Sequence, residues 1–160
     1  MEQAKKNLQR KSFCAYCARM KRGIMYRIAR EQNYNVLALA QHLDDLAESF
    51  LMSALYSGSL RTMKAHYTND SGDIRIIRPL VYVRERQTFD FAKNLPVIQD
   101  SCPACFTTPT QRDHVKQLLA NEESRHKDVL HNMLHAMRPL MVKTGTPVDE
   151  KFLPMKTDYM

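Results

Sequence analysis

An α/β fold built on a parallel sheet is predicted by three features of the chain. The aliphatic run Val36-Leu-Ala-Leu-Ala40 is too short for a helix and leads directly into Gln41-His42-Leu43-Asp44-Asp45. Apolar residues at helical spacing lie on both sides of it: Ala18, Ile24, Met25, Ile28 and Ala29 before, Leu46, Phe50, Leu51, Ala54 and Leu55 after. Helix, strand and helix in that order are the unit of an α/β sheet. A strand that ends in a histidine and two aspartates places polar groups at the carboxyl edge of such a sheet, where open α/β folds bind ligands.

In chain order, residues 1 to 12 read as a helix or frayed arm, and Ala15 to Gln32 as a basic helix that Asn33-Tyr-Asn35 breaks. Val36 to Ala40 is continuous and apolar, as a strand covered on both faces would be. Leu43 to Tyr56 is a helix ended by Ser57-Gly58-Ser59. Leu60 to Asp73 is expected to be a loop closing in the turn Asn69-Asp-Ser-Gly72. Ile74 to Ile77 forms a second strand, which Pro79 stops. A helix is expected from Arg84 to Lys93, a short extended piece at Val97-Ile98, and a long charged helix from Thr110 to about Met137 with a candidate break near Glu122. Pro139 is expected to end that helix, and Thr144 to Met160 to be irregular.

The size of 160 residues suits one domain with a modest core. No apolar run approaches the roughly 18 to 20 residues of a membrane span, and the polar start Met-Glu-Gln-Ala-Lys-Lys is unlike a signal peptide. A cytoplasmic protein with no membrane partner is therefore expected. The net charge of +7 favours an anionic partner, with nucleic acid first among candidates. A solvated basic face is the plain alternative.

The four cysteines form two C-x-x-C pairs, Cys14 with Cys17 and Cys102 with Cys105. In a reducing compartment such pairs are more often metal ligands than disulfides. Four thiolates suit a structural zinc ion or an iron–sulfur cluster, and ligand softness does not separate the two. If both pairs hold one centre, the metal closes most of the domain on itself. His126, His131 and His135 contain one i,i+4 pair and no carboxylate-rich motif, which reads as a solvated or half-buried helix face.

An ordered set of motifs carries a resemblance. Cys14-x-x-Cys17 with Arg19, Arg22-Gly23 and Tyr26 is followed by His42-Leu-Asp44-Asp45, by Tyr56-Ser-Gly58 with Met63, by Ile77-Arg78-Pro79-Leu80 with Arg84-Glu85, and by Cys102-x-x-Cys105. Over roughly residues 12 to 113 this resembles the tRNA-cytidine 2-sulfurtransferases of the PP-loop ATPase superfamily. The resemblance implies the C-terminal part of a parallel-sheet PP-loop (adenine nucleotide alpha hydrolase-like) fold, helix-rich and ending in a long helix. It divides the chain into a partial PP-loop-like domain at 1–113, a helical extension at 114–138 and an irregular tail at 139–160.

The activity so implied is ATP- and Mg²⁺-dependent adenylation of a cytidine in tRNA, followed by replacement of its oxygen with sulfur. A 4Fe-4S cluster would be held by Cys14, Cys17 and Cys102, with Cys105 a spare thiol or a fourth ligand; zinc is the alternative. His42, Asp44 and Asp45 match the motif beside the nucleotide, and both aspartates suit Mg²⁺ or pyrophosphate. The plain reading is that they cap the following helix. Arg19, Arg22, Arg61 and Lys64 are the candidate tRNA-phosphate contacts.

Three departures from the family pattern stand out. Ala40-Gln41 replaces Gly-His before His42, the segment after about Arg112 lies outside the resemblance, and Ser-Gly-Gly-x-Asp-Ser, the phosphate-cradling loop, is absent from the 160 residues. The strand from Val36 is expected to present an open edge where the missing nucleotide-binding half would pair. A truncated sulfurtransferase, one half of a split enzyme and a non-catalytic metal-stabilised RNA-binding module are the readings this leaves. The partners then expected are tRNA, a sulfur donor protein, and an N-terminal PP-loop chain or a second copy; ATP binding needs the missing half.

Overall fold

The computed structural model describes residues 10–96 and 110–142, with the backbone alone at 10–14 and 142. The expected arm before residue 10, the extended piece at Val97-Ile98, Cys102, Cys105 and the tail from Thr144 lie outside the described residues.

Helix α1 (Arg10–Glu31) is longer than the periodicity predicts and takes in both Cys14 and Cys17. It ends where Asn33 adopts a positive φ of 57°, a conformation that asparagine tolerates better than most residues. Strand β1 (Val36–Ala38) follows, then α2 (Leu43–Ser57). Gly58, at φ 58°, closes α2 with its N–H on the Ser53 carbonyl, a left-handed cap that disfavours a Cβ.

The segment expected to be a loop contains a further strand, β2 (His66–Thr68), which pairs antiparallel with β3 (Arg75–Ile77). It escapes a periodicity reading because three residues are too few to show alternation. Asn69 builds the connecting turn, its side-chain oxygen accepting from the Asp73 and Ile74 N–H groups at 3.1 and 3.2 Å. β3 also pairs parallel with β1, Leu37 opposite Ile76, giving the order β1-β3-β2. The predicted α/β class with a parallel strand pair therefore holds.

β1 is not covered on both faces by the described residues. Leu37 and Leu39 are half-buried while Val36 is 45% exposed and Ala38 and Ala40 face outward. Its alternation is that of a strand at the rim of a sheet, with one face packed.

Helix α3 (Glu85–Ala92) precedes two further helices, α4 (Gln111–Arg125) and α5 (Val129–Val142). The charged helix expected from Thr110 is thus a pair, broken at His126–Asp128 rather than near Glu122. Pro139 does not end α5, which runs three residues past it. Burial explains the extension: Met137 and Met141 are enclosed in the core, and the Met141 carbonyl accepts from the Ala65 N–H at 3.2 Å.

Two apolar clusters form. The larger joins α2, α4 and α5 through Leu43, Leu46, Ala47, Val115, Leu119, Leu130, Met137 and Met141, with Val81. The smaller joins α1 to the sheet through Ala29, Ile74 and Ile76, with Tyr26, Leu37, Leu39 and Tyr67 around them. Each large side chain so enclosed contributes about 2 kcal/mol of transfer free energy. Among the described residues no helix is long and apolar enough to cross a membrane.

Candidate functional site

The strand-to-helix junction after β1 carries the predicted acids. His42 is the N-cap of α2: its Nδ1 accepts from the Asp45 N–H at 3.3 Å, and the Asp45 carboxylate accepts from the His42 N–H at 3.2 Å. This reciprocal pair satisfies two amides the helix would otherwise leave open.

Asp44 reaches outward to a different helix. Its carboxylate accepts from Arg84 Nε and Nη2 at 3.1 and 3.0 Å and from the Glu85 N–H at 2.7 Å. It therefore caps the first turn of α3 from outside while pairing with the residue before it. Burial alone would raise this carboxyl, but the Arg84 hydrogen bonds and the Glu85 amide hold it below the usual range. Arg84 is shared with Glu123 of α4, whose oxygens accept from Nη1 and Nη2 at 2.5 and 2.9 Å. One guanidinium thus ties α2, α3 and α4 together.

Asp45 takes Arg112 of α4, with Nη1 at 3.2 Å, and the same nitrogen lies 3.3 Å from Glu48. Glu48 is 4% exposed among Leu43, Leu46 and Ala47. Burial pushes its carboxyl up, against the pull of Arg112 and Lys116. Lys116 donates to both Glu85 oxygens at 2.9 and 2.7 Å. Beside this lattice lies an open pocket of about 380 Å³, walled by Asp44, Glu48, Arg84, Lys116 and Glu123 with Phe89 at its side.

Both aspartates expected beside the nucleotide therefore sit at the carboxyl end of β1 in a helix-capping, arginine-paired geometry. Asp45 is the more available of the two, because Arg112 is 44% exposed and can turn away into water.

Cys17 is half-buried and free, and Cys14 lies three residues earlier along the backbone of α1. Two thiols at that spacing suit one soft metal centre. The convergence of the second pair falls outside the described residues. Among those described, no cluster of three or more His, Cys, Asp or Glu forms a metal cage. Arg19 and Arg22 are exposed on α1, Arg61 is exposed after α2 and Lys64 is half-buried ahead of β2. His131 and His135 face each other on the exposed side of α5 with Nε2 atoms 3.0 Å apart.

Sequence reasoning missed Glu48, Arg112, Lys116 and Glu123. Signals were present: Asp44 and Glu48 share a helix face that is otherwise apolar, and Arg112 and Lys116 repeat at four residues.

Comparison with known proteins adds to this geometry. The PP-loop domain model matches residues 2–126. The tRNA-cytidine(32) 2-sulfurtransferase of Geobacter sulfurreducens is 41% identical over 128 residues, covering 79% of this chain and 50% of that protein. That of Sorangium cellulosum is 38% identical over 132 residues, covering 81% and 46%. The chain spans about half the length of the curated relatives it matches. In fold it is similar to the U34-tRNA thiolase NcsA from Methanococcus maripaludis, solved with its 4Fe-4S cluster. The TM-score is 0.67 at 20% identity, over 85% of this chain and 46% of that one.

Proposed function

The chain belongs to the PP-loop domain family, and from that premise we propose that it is part of an ATP-dependent tRNA sulfurtransferase that thiolates a cytidine. The observation that carries the reading is β1 delivering His42, Asp44 and Asp45 to the carboxyl edge of the sheet, directly after the helix that bears Cys14 and Cys17. The names of the relatives point to tRNA thiolation at a cytidine.

In this reading Asp45, whose partner Arg112 is exposed, would be the carboxylate free to hold Mg²⁺, and the ion would supply charge stabilisation for adenylation of the base. Asp44 stays on Arg84 and ties the start of α2 to α3 and α4, and His42 orients Asp45. Cys14, Cys17 and Cys102 would hold an iron–sulfur cluster, with Cys105 spare or a fourth ligand. Such a cluster supplies a site for sulfur delivery. The cluster carried by the fold neighbour favours iron–sulfur over zinc. ATP and Mg²⁺ would enter with a PP-loop half that docks on the exposed rim of β1, supplied by a companion chain, a second copy or adjoining sequence. Arg19, Arg22, Arg61 and Lys64 would meet tRNA phosphates. A cytoplasmic setting with a sulfur donor protein belongs to the same reading, since thiols stay reduced there.

The test is anaerobic purification with iron and sulfide analysis, then mass spectrometry of 2-thiocytidine in tRNA after co-expression with a PP-loop half. Iron and sulfide in equal amounts, lost in Cys14→Ser, are expected. One tightly held zinc per chain with no thiolated base would overturn the reading in favour of a non-catalytic RNA-binding module.

A further inference from the structure

We propose that Arg78 is a preset phosphate anchor for RNA at the carboxyl edge of the sheet; the proposal rests on the tRNA reading above. Arg78 directly follows β3. Its Nε donates to Gln41 Oε1 at 3.0 Å, just past the end of β1, and its Nη1 donates to the Lys64 carbonyl at 2.6 Å, on the approach to β2. Its backbone N–H holds the Ala65 carbonyl at 2.8 Å, and its guanidinium lies 5.6 Å from the centre of the Tyr67 ring. Groups beside β1 and β2 thus fix a side chain that itself follows β3.

None of those partners is an anion. Arg30, Arg84 and Arg112 are each matched by a carboxylate. Among the described residues Arg78 makes no ion pair, although it is half-buried. A partly desolvated cation held by neutral acceptors leaves its charge to be met by something else. Nη2 makes no hydrogen bond among the described residues, so one edge of the planar fork is open for phosphate oxygens.

A second guanidinium, on α5, is incomplete. The Nε of Arg138 is buried and has no hydrogen-bond partner among the described residues. It lies one helical turn before Met141, whose carbonyl accepts from the Ala65 N–H. Arg61 is exposed a few residues upstream in the chain. An exposed Arg61 and an Arg78 bonded to the Lys64 carbonyl, three residues on, suit a polyanion's successive phosphates better than a single nucleotide, which is gripped by one compact loop.

The test uses the full chain, a fluorescent tRNA anticodon stem-loop and, separately, ATP, from 50 to 200 mM salt. Arg78→Gln is expected to weaken RNA binding about tenfold at low salt and to lower the slope of log affinity against log salt by about one. Arg78→Lys should keep the slope with intermediate affinity, and none of the three proteins should respond to ATP, whose binding needs the PP-loop half. In the wild-type protein, the ¹⁵N-edited Nε–H signal of Arg78 should move on adding RNA and stay still with ATP; this measurement decides if Arg78→Gln fails to fold. Unchanged RNA affinity and slope in Arg78→Gln, a stationary Nε–H signal, a response to ATP in place of RNA, or no RNA binding by the wild type would each overturn the proposal. Iron and sulfide content separates it from the thiolation reading. A cluster-free protein with Arg78-dependent RNA binding removes thiolation and spares the anchor, and a cluster-bearing protein with Arg78-independent binding does the reverse.

Discussion

Asp44 shows how one side chain can serve two helices, and what its loss would do follows from its partners. Asp44→Asn keeps the shape but gives up the charge on Arg84 and weakens the cap on α3. Urea unfolding should show a loss of about 2 kcal/mol, less than for a fully buried pair because both side chains keep some contact with water. The acid limb follows from the same contacts. Asp44 and Glu123 have folded values held below their ordinary ones, Asp44 by Arg84 and Glu85 against burial, Glu123 by Arg84. Their stabilisation is complete above the ordinary carboxylate range near about pH 4 and disappears as pH falls through the lower folded values. Glu48 runs the other way, because burial raises its folded value. The unfolded chain ionises it first, so stability is lost as pH rises from its ordinary value through the raised one. Glu48→Gln should remove that neutral-side loss while leaving the acid limb intact, a difference that thermal melts across pH 3 to 8 would show. The motif His42-Leu-Asp44-Asp45 was readable from adjacency alone. Arg84 and Arg112, 40 and 67 residues away from the acids they pair with, were not, because local spacing carries no information about which distant cation a carboxylate will meet.

At the level of elements, sequence pattern located α2 and β3 because each carries an unbroken local signal, a cap and a glycine stop in one case, a β-branched run and a proline in the other. It failed at β2 and at the end of α5, where tertiary contacts override propensity. His66-Tyr67-Thr68 is a strand because Asn69 folds it back onto β3. α5 continues past Pro139 because Met141 is enclosed. A proline inside a helix costs up to about 3 kcal/mol relative to alanine, partly offset by its restriction of the unfolded chain. Pro139→Ala should therefore stabilise the protein by about 1 to 2 kcal/mol in urea unfolding. No gain, or a loss, would mean that α5 is built around the missing amide.

Across the whole molecule, the α/β class was legible from one strand between two helical runs, whereas the division of the core in two was not. Leu37 and Leu39 belong to the cluster beneath the sheet, and Leu43 and Leu46, a few residues later, belong to the cluster among the helices. The first has three enclosed residues and the second nine, so the two should open at different free energies. Hydrogen–deuterium exchange should release the amides of Leu37 and Ile76 well before those of Leu46 and Leu119; simultaneous release would show a single cooperative unit. The turn from Ala40 to His42 is then a joint between a loose plate and a firm block. Clamping the plate from its bare rim would damp the rocking of that joint, and the two aspartates just beyond it would be steadied by an event that never touches them.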